Sequence, residues 1–558
     1  MELLDARRLT GPNLLGDLPG AVMDIQCPDN ERDQIESKWC ELITTAHLQL
    51  GWSLPELRAL PLAGGLSVFF TAPIDHLYAA TCVNEWAYEC LVAHANGVAE
   101  PALDSNVVNE ALMDEQNERL LELQTVAEQY HVTFLWDDDE VSLGQGCFST
   151  TWPISDLPEP NALEFSEFQD IPTCVVTGTN GKTTTARIAR FILQQAKRQV
   201  GMSCTDWIAV NDRIIDRGDW SGPGGARAVL REFEANCAVL ETARGGLLRR
   251  GLGVNRADAA VITNIAADHL GDFGSRSLHE LLQIKWIVSR AVQASGVLVL
   301  NADDALLVRQ AEAYPGRIVW FTLSDVTSES NLLETGEAVY SLSAGDLVYV
   351  DHDGCRVICP VADVPLTLGG AAKHNVANAL AAAALTHVMG ISFADIAEGL
   401  MRMSQGDNPG RCNVYEVNGV SVLVDFAHNP HAMNALFDMA LALPAKRRML
   451  TFGQAGDRPD ALIEDVTRAA WEIGLDYIQV TELPQYHRGR SHGEVFDIIS
   501  KELLRLGAKV EHIRHCEEEL EALETSLQWA EPGDLVIMLA LGDRTAIADR
   551  LNELAAQH

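Results

Sequence analysis

Residues 176–185 read Val-Thr-Gly-Thr-Asn-Gly-Lys-Thr-Thr-Thr, between an apolar run at 171–176 and a helical stretch at 184–195. Strand, glycine-punctuated loop and helix in this order form the arrangement that cradles phosphate. Gly178 and Gly181 let the backbone turn tightly, so that its N–H groups and the following helix N-terminus face phosphate oxygens. Lys182 adds a point charge and Thr183 a hydroxyl for Mg2+. The loop is therefore predicted to hold a nucleoside triphosphate through Gly178, Thr179, Asn180, Gly181, Lys182, Thr183 and Thr184. Valine stands at 176, where the usual Walker spacing has glycine, so the loop is a variant in which Thr-Gly-Thr-Asn precedes Gly-Lys-Thr.

Outward from this loop the chain sorts into three units. Residues 1–165 mix strand-like runs such as 66–71 with helices expected over 75–94 and 106–130, and end in a linker spaced by Pro153, Pro158 and Pro160, with Pro172 just beyond. Residues 166–410 alternate apolar strands (238–240, 259–265, 297–300, 318–322) with helices, the pattern of a parallel sheet covered on both faces. The strand-rich segment 324–365 is expected to form a small sheet of its own before an alanine-rich helix at 373–388. From 411 to 558 a fresh alternation runs through 420–425, 448–452, 477–480 and 535–539. The expected fold class is α/β with three domains: a small α+β amino-terminal domain (1–165), a central P-loop parallel-sheet domain (166–410) and a carboxyl-terminal Rossmann-like α/β domain (411–558).

The bulk numbers agree with a multidomain globular chain. A length of 558 residues exceeds one ordinary core, and 47% hydrophobic with 22% charged residues is globular composition. A formal net charge of −38 repels nucleic acid and anionic bilayers at long range, so a polyphosphate ligand must be held by local donors. The first residues contain no apolar signal core and no uninterrupted apolar stretch spans a bilayer, so a cytoplasmic protein is expected, with neither nucleic acid nor membrane as partner. The twelve cysteines include no C-x-x-C pair and read as reduced packing residues.

Further candidates stand at strand ends, the rim where ligands of open α/β sheets bind. Glu241 closes an apolar strand and is a candidate Mg2+ ligand; a solvated loop glutamate is the alternative. Asn264 to His269 follows the next strand and brings an amide, the Asp268 carboxylate and an imidazole, His269 being a candidate for a second divalent ion. Lys285 lies on a helix expected over 277–292 among Leu281, Leu282, Trp286 and Ile287, where periodicity alone makes it snorkel outward.

Taken together, Thr177 to Thr184, Glu241, 264–269, Lys285, 373–378 (Lys-His-Asn-Val-Ala-Asn), Gly410-Arg411, 425–430 (Asp-Phe-Ala-His-Asn-Pro) and 453–458 (Gly-Gln-Ala-Gly-Asp-Arg) occur in the order seen in the Mur ligase family, which the chain resembles over about 165–558. Within that family 218–223 and 240–252 resemble the Mur-ligase-like portion of the cyanophycin synthetases. Residues 8–13 and the helix at 75–91 resemble the small leading domain of the same enzymes. The ATP-grasp domain that lies between those parts in them does not fit within 101–172. On this reading the chain alone does not build a polymer from aspartate and arginine. Residues 135–146 are either a remnant of the lost domain's entrance or an acidic surface loop.

The resemblance implies an ADP-forming, ATP- and Mg2+-dependent ligase that phosphorylates a carboxylate and lets an amine attack the acyl phosphate. Lys182 and Arg411 then serve the β and γ phosphates, Thr183 the first Mg2+, and Glu241 and His269 that neighbourhood or a second ion. The lysine matching Lys285 is commonly carbamylated in the family, which turns a cation into a metal-binding carboxylate. Asn375 and Asn378, one helical turn apart, face the adenine edge; the same spacing also occurs on plain helix faces. Asp425 suits the ribose, His428 and Asn429 follow on its loop, and Arg458 approaches the transferred phosphoryl group when the third domain closes. Arg488, Arg490 and Glu494 either bind the amine or form a solvated loop. The expected product joins an amino acid, with a basic one such as arginine as candidate, to a carboxylate of an acidic peptide or small molecule. The alternative from another class is a non-ligating nucleotide-binding partner subunit of a separate ATP-grasp ligase. Assembly with copies of itself is left open.

Overall fold

The computed structural model describes residues 1–268 and 277–556. Its centre is an eleven-stranded sheet. Seven strands run parallel, in the order Val200–Ser203, Cys237–Glu241, Thr173–Thr177, Ala257–Ile262, Val292–Asn301, Arg317–Phe321 and Ala338–Ser343. Along Thr173–Thr177, Cys174 and Val176 enter the apolar layer on one face and Val175 the layer on the other. Alternation with both faces apolar is what a strand covered on both sides requires.

Antiparallel strands extend both edges of this sheet. Trp207–Val210 and Arg213–Arg217 extend one edge, Asp346–Asp351 and Gly354–Pro360 the other. The strand-rich segment at 324–365 thus does not form a sheet of its own. Ala338–Ser343 pairs parallel with Arg317–Phe321 and carries the two following strands onto the central sheet.

The helix Lys373–Val388 packs on the phosphate-loop helix Lys182–Gln195. Ala379 and Ala381 to Ala384 are buried along it, and side chains this small let helix, helix and sheet approach closely. That approach brings Asn375 and Asn378 to the phosphate loop.

The amino-terminal part is a four-stranded antiparallel sheet, Glu2–Leu9, Gly20–Gln26, Gly65–Thr71 and Leu57–Leu62 in spatial order, backed by Arg32–Leu50 and Leu77–Ala95. The helix expected over 106–130 is two helices, Ser105–Glu115 and Glu118–Gln129. Asn117 interrupts it because its side chain caps the second helix at Leu120 N while its own N–H donates to Asp75 Oδ2 at 3.0 Å. Residues 134–153 form a three-stranded sheet whose turn is acidic. Asp137 pairs with Arg231 Nη1 at 2.6 Å and Asp138 accepts two bonds from Arg8, so the turn joins the first sheet to the central domain.

The carboxyl-terminal sheet has six strands: Asn413–Val417, Val420–Asp425, Leu535–Leu539, Arg448–Phe452, Tyr477–Thr481 and Ile513–Cys516. The last five are parallel, so Asp425, Gly453 and Glu482 leave from one rim. Among the described residues no helix is long and apolar enough to cross a membrane.

Candidate functional site

The phosphate loop leaves the carboxyl end of Thr173–Thr177 and enters Lys182–Gln195. Gly178 has φ +145° and an added Cβ would lie 1.8 Å from Thr263 Oγ1; Gly181 has φ +87° and its Cβ would lie 2.3 Å from Asn378 Oδ1. Backbone conformation and close approach both require glycine there. Asn264 braces the loop from the neighbouring strand end. Its Oδ1 accepts from Asn180 N and its Nδ2 donates to Asn180 O, each at 3.0 Å.

Two lysines converge on consecutive loop carbonyls, Lys182 Nζ donating to Thr179 O at 2.9 Å and Lys285 Nζ to Gly178 O at 2.8 Å. Lys285 does not snorkel: its helix ends at Trp286, and its side chain runs inward and is buried. Burial, reinforced by nearby Lys182, pushes its pKa well below the ordinary lysine value. Burial also lowers Lys182, against the pull of Glu241 and Asp268. Glu241 is 1% exposed, and its carboxylate accepts from Thr205 Oγ1 at 2.7 Å and Thr205 N at 3.2 Å.

The third domain closes over this loop. Arg411 Nη2 donates to Thr183 Oγ1 at 3.4 Å, and its buried Nε has no hydrogen-bond partner among the described residues. Arg458 reaches Asp268 Oδ1 at 3.5 Å and donates to His428 O at 2.9 Å, while His428 Nε2 lies 3.5 Å from Asp268 Oδ2. Asn429 caps the helix Pro430–Ala442 and its Nδ2 donates to Asn180 Oδ1 at 3.0 Å. Asp425 accepts from Cys412 N at 2.8 Å and Ala427 N at 2.7 Å. Asn378 accepts from Thr185 Oγ1 at 3.3 Å and donates to Asn375 Oδ1 at 3.2 Å.

One cavity of about 3250 Å3 is lined by Thr179 to Thr184, Glu241, Asn264, Lys285, Asn375, Asn378, Arg411, Asp425, His428 and Arg458. Gly178 and Asn429 stand behind this lining, and His269 lies outside the described residues. The lining also includes Arg217, Arg227, Arg244, Arg249 and Arg250. Arg490 is bound by Asp460 at 2.6 Å and Glu494 at 2.9 Å, away from the lining, whereas Arg488 lines the cavity and pairs with Asp457 at 2.6 Å.

Sequence reasoning missed a second clasp. Asp206, from the central domain, takes Arg187 Nη2 at 2.5 Å and, from the third domain, Arg544 Nη1 at 2.8 Å. Arg411 and Arg544 both lie against the Phe426 ring, 4.5 and 4.3 Å from its centroid. A signal for Arg544 was present: Gly-Asp-Arg at 542–544 repeats Gly-Asp-Arg at 456–458, each shortly after an apolar parallel strand.

The donor types suit the groups that the sequence implies. Thr183 hydroxyl and Glu241 carboxylate are hard oxygen donors fit for Mg2+, and Lys182 with the unpaired Arg411 Nε fits phosphate oxygens.

The Mur ligase middle domain matches residues 176–386, and the Mur ligase glutamate ligase domain matches residues 410–542. Cyanophycin synthetase from Nostoc sp. is 36% identical over 377 residues, 66% of this chain and 41% of that protein. UDP-N-acetylmuramoyl-L-alanyl-D-glutamate–2,6-diaminopimelate ligase from Gloeobacter violaceus is 30% identical over 313 residues, 53% of this chain and 58% of that protein. The solved structure of E. coli FolC in complex with DHPP and ADP has a TM-score of 0.49 at 18% identity, covering 68% of this chain and 89% of that one. The chain spans less than half the length of the cyanophycin synthetases it matches. With two consecutive family domains over most of its length, the chain belongs to the Mur ligase family.

Proposed function

We propose that the protein is an ADP-forming ligase that joins an amino acid, a basic one such as arginine being the candidate, to a carboxylate of an acidic peptide or small molecule. The observation that carries this reading is one cavity whose lining holds Lys182, Glu241, Arg411 and Arg458, from both Mur ligase domains, together with Arg217, Arg227, Arg244, Arg249 and Arg250. Guanidinium groups in that number suit a polyanionic acceptor.

In the reaction the acceptor carboxylate attacks the γ-phosphorus of ATP and ADP leaves. The amine then attacks the acyl carbon, loses a proton, and phosphate departs. Carboxylate and triphosphate repel each other, so cationic donors must stand where charge builds. Lys182 and Arg411 hold the β and γ phosphates, and Arg458 faces the transferred group from the third domain. Asn375 and Asn378 face the base, while Asp425, with His428 and Asn429 on the loop that follows it, serves the ribose side. Thr183 and Glu241 and, once carbamylated, Lys285 would hold Mg2+, which would neutralise phosphate charge. His269 is the candidate for a second ion. Lys285 presents a buried amine whose lowered pKa favours the neutral form, the form that takes up carbon dioxide. Docking of the third domain excludes water that would hydrolyse the acyl phosphate.

The test is to incubate the protein with ATP, Mg2+, acidic peptides and pooled amino acids, and to follow ADP and phosphate. Release that requires both co-substrates is expected, and hydroxylamine in place of the amine should yield a hydroxamate of the acceptor. ATP turnover that needs neither co-substrate, or silence with every pool, overturns the reading; silence relieved only by a separate ATP-grasp protein marks a partner subunit.

A further inference from the structure

A second cluster of chemistry-bearing side chains lies in the third domain, outside the residues given roles above. Among the described residues, Glu482, His492 and His515 present ligand atoms that all lie within 4.8 Å of one another. Glu482 follows the strand Tyr477–Thr481, and His515 sits in the adjacent parallel strand Ile513–Cys516, in register with Val480. His492 comes from the loop that leads into the helix Glu494–Arg505.

The surroundings of these three fix their orientation. Glu482 is 4% exposed; its Oε1 lies 2.7 Å from His515 Nε2 and its Oε2 lies 3.1 Å from His487 Nε2. Gly493 N donates to Glu482 Oε1 at 3.2 Å. The His515 ring stacks on Phe496 with centroids 4.3 Å apart. Glu517 Oε2 lies 2.7 Å from His492 Nε2, an example of the carboxylate–imidazole pairing that orients metal-bound histidine. A buried carboxylate and two imidazoles, with a third imidazole and a second carboxylate bonded to them, is more than one ion pair requires.

We propose that Glu482, His492 and His515 bind one divalent transition-metal ion of the zinc class, with water completing its coordination. Two imidazoles and one carboxylate favour such an ion over Mg2+ or Ca2+, which take oxygen donors. The exposed His492 leaves the ion a path from solvent. The ion ties down the loop at 482–493, and that loop holds the segment carrying Arg458: Gly456 N donates to Tyr486 O at 2.8 Å, and Arg490 donates to Gly456 O at 2.7 Å and Arg458 O at 2.9 Å.

The test uses the full chain, stripped with chelator and titrated with Zn2+ in excess Mg2+, which keeps oxygen-donor sites filled. Calorimetry and elemental analysis should give one Zn2+ per chain and a higher Tm than the stripped protein. His492→Ala removes an exposed side chain, so its Tm without metal should match wild type while its Zn2+ affinity falls at least tenfold. His515→Ala should lose the ion as well, and Co2+ loading of the wild type, but not of His492→Ala, should give visible ligand-field absorption. Zn2+ uptake unchanged in His492→Ala, or none by wild type in Mg2+, overturns the proposal; both readouts are independent of ligase activity.

Discussion

Lys182 and Lys285 place two amines on the carbonyls of Thr179 and Gly178, where a phosphate-binding loop also needs its N–H groups free. Removing one donor that acts on developing charge lowers turnover about 10²–10³-fold. Lys182→Ala is therefore expected to lose at least that much ADP release in the co-substrate assay while retaining its circular dichroism spectrum. Gly181→Ala is a separate test of backbone. A non-glycine residue at φ +87° costs about 1–3 kcal/mol, and its Cβ would press on Asn378 Oδ1. A Tm lower by about 2–4 °C for each kcal/mol, with weaker calorimetric binding of ATP, is the expected outcome. Lys285 marks the limit of periodicity: its apolar neighbours were legible, but its direction depends on Gly178 O, a partner 107 residues away.

At the scale of elements, the helices Asp460–Trp471 and Glu494–Arg505 are joined through Glu502, which takes Arg468 Nη1 at 2.7 Å and Arg505 Nη2 at 2.6 Å. Hydrogen bonds from Arg505 and then Arg468 hold its carboxyl at about 2, against an ordinary value of 4.5. A folded-state pKa below the unfolded one contributes stability that is complete above about 4.5 and is lost as pH falls towards 2. Glu502→Gln should thus lower Tm by about 2–4 °C at neutral pH, and the two melting curves should converge as pH falls through that window. Differential scanning calorimetry across pH checks this.

Elements with strong local signals were legible in sequence: the helix at 373–388 and the strand 420–425 occur as read. What failed was pairing over distance. Nothing in the strands at 338–360 announces that they continue the central sheet, because alternation names a face and not a neighbour. Asn117 likewise breaks a helical pattern by capping Leu120 N while distant Asp75 takes its N–H. The site divides in the same way. Loop residues at strand ends could be read, whereas the Asp206 clasp joins segments hundreds of residues apart.

For the whole molecule, the contacts that hold the central and third domains together include Asp206 with Arg544, Asp268 with Arg458 and His428, Asn180 with Asn429, and Thr183 with Arg411. Arg544 is partly exposed, so its removal should leave each domain folded while releasing one charge-assisted contact of about 1.5–3 kcal/mol. Arg544→Ala is expected to enlarge the radius of gyration in nucleotide-free solution scattering and to raise KM for ATP about tenfold or more. An unchanged radius and KM would remove Arg544 from the clasp.

The amides of Asn180 and Asn429 meet head to tail, and His431 Nδ1 lies 2.9 Å from the same Asn180 Nδ2. Occupancy of the loop and the position of the third domain are therefore expected to be coupled. Whatever factor separates the affinities of a phosphate ligand for the apposed and parted arrangements must reappear, unchanged, as the factor by which that ligand shifts their ratio. Distances between labels on the two domains, followed during titration with a non-hydrolysable nucleotide, would report this coupling with no bond made or broken.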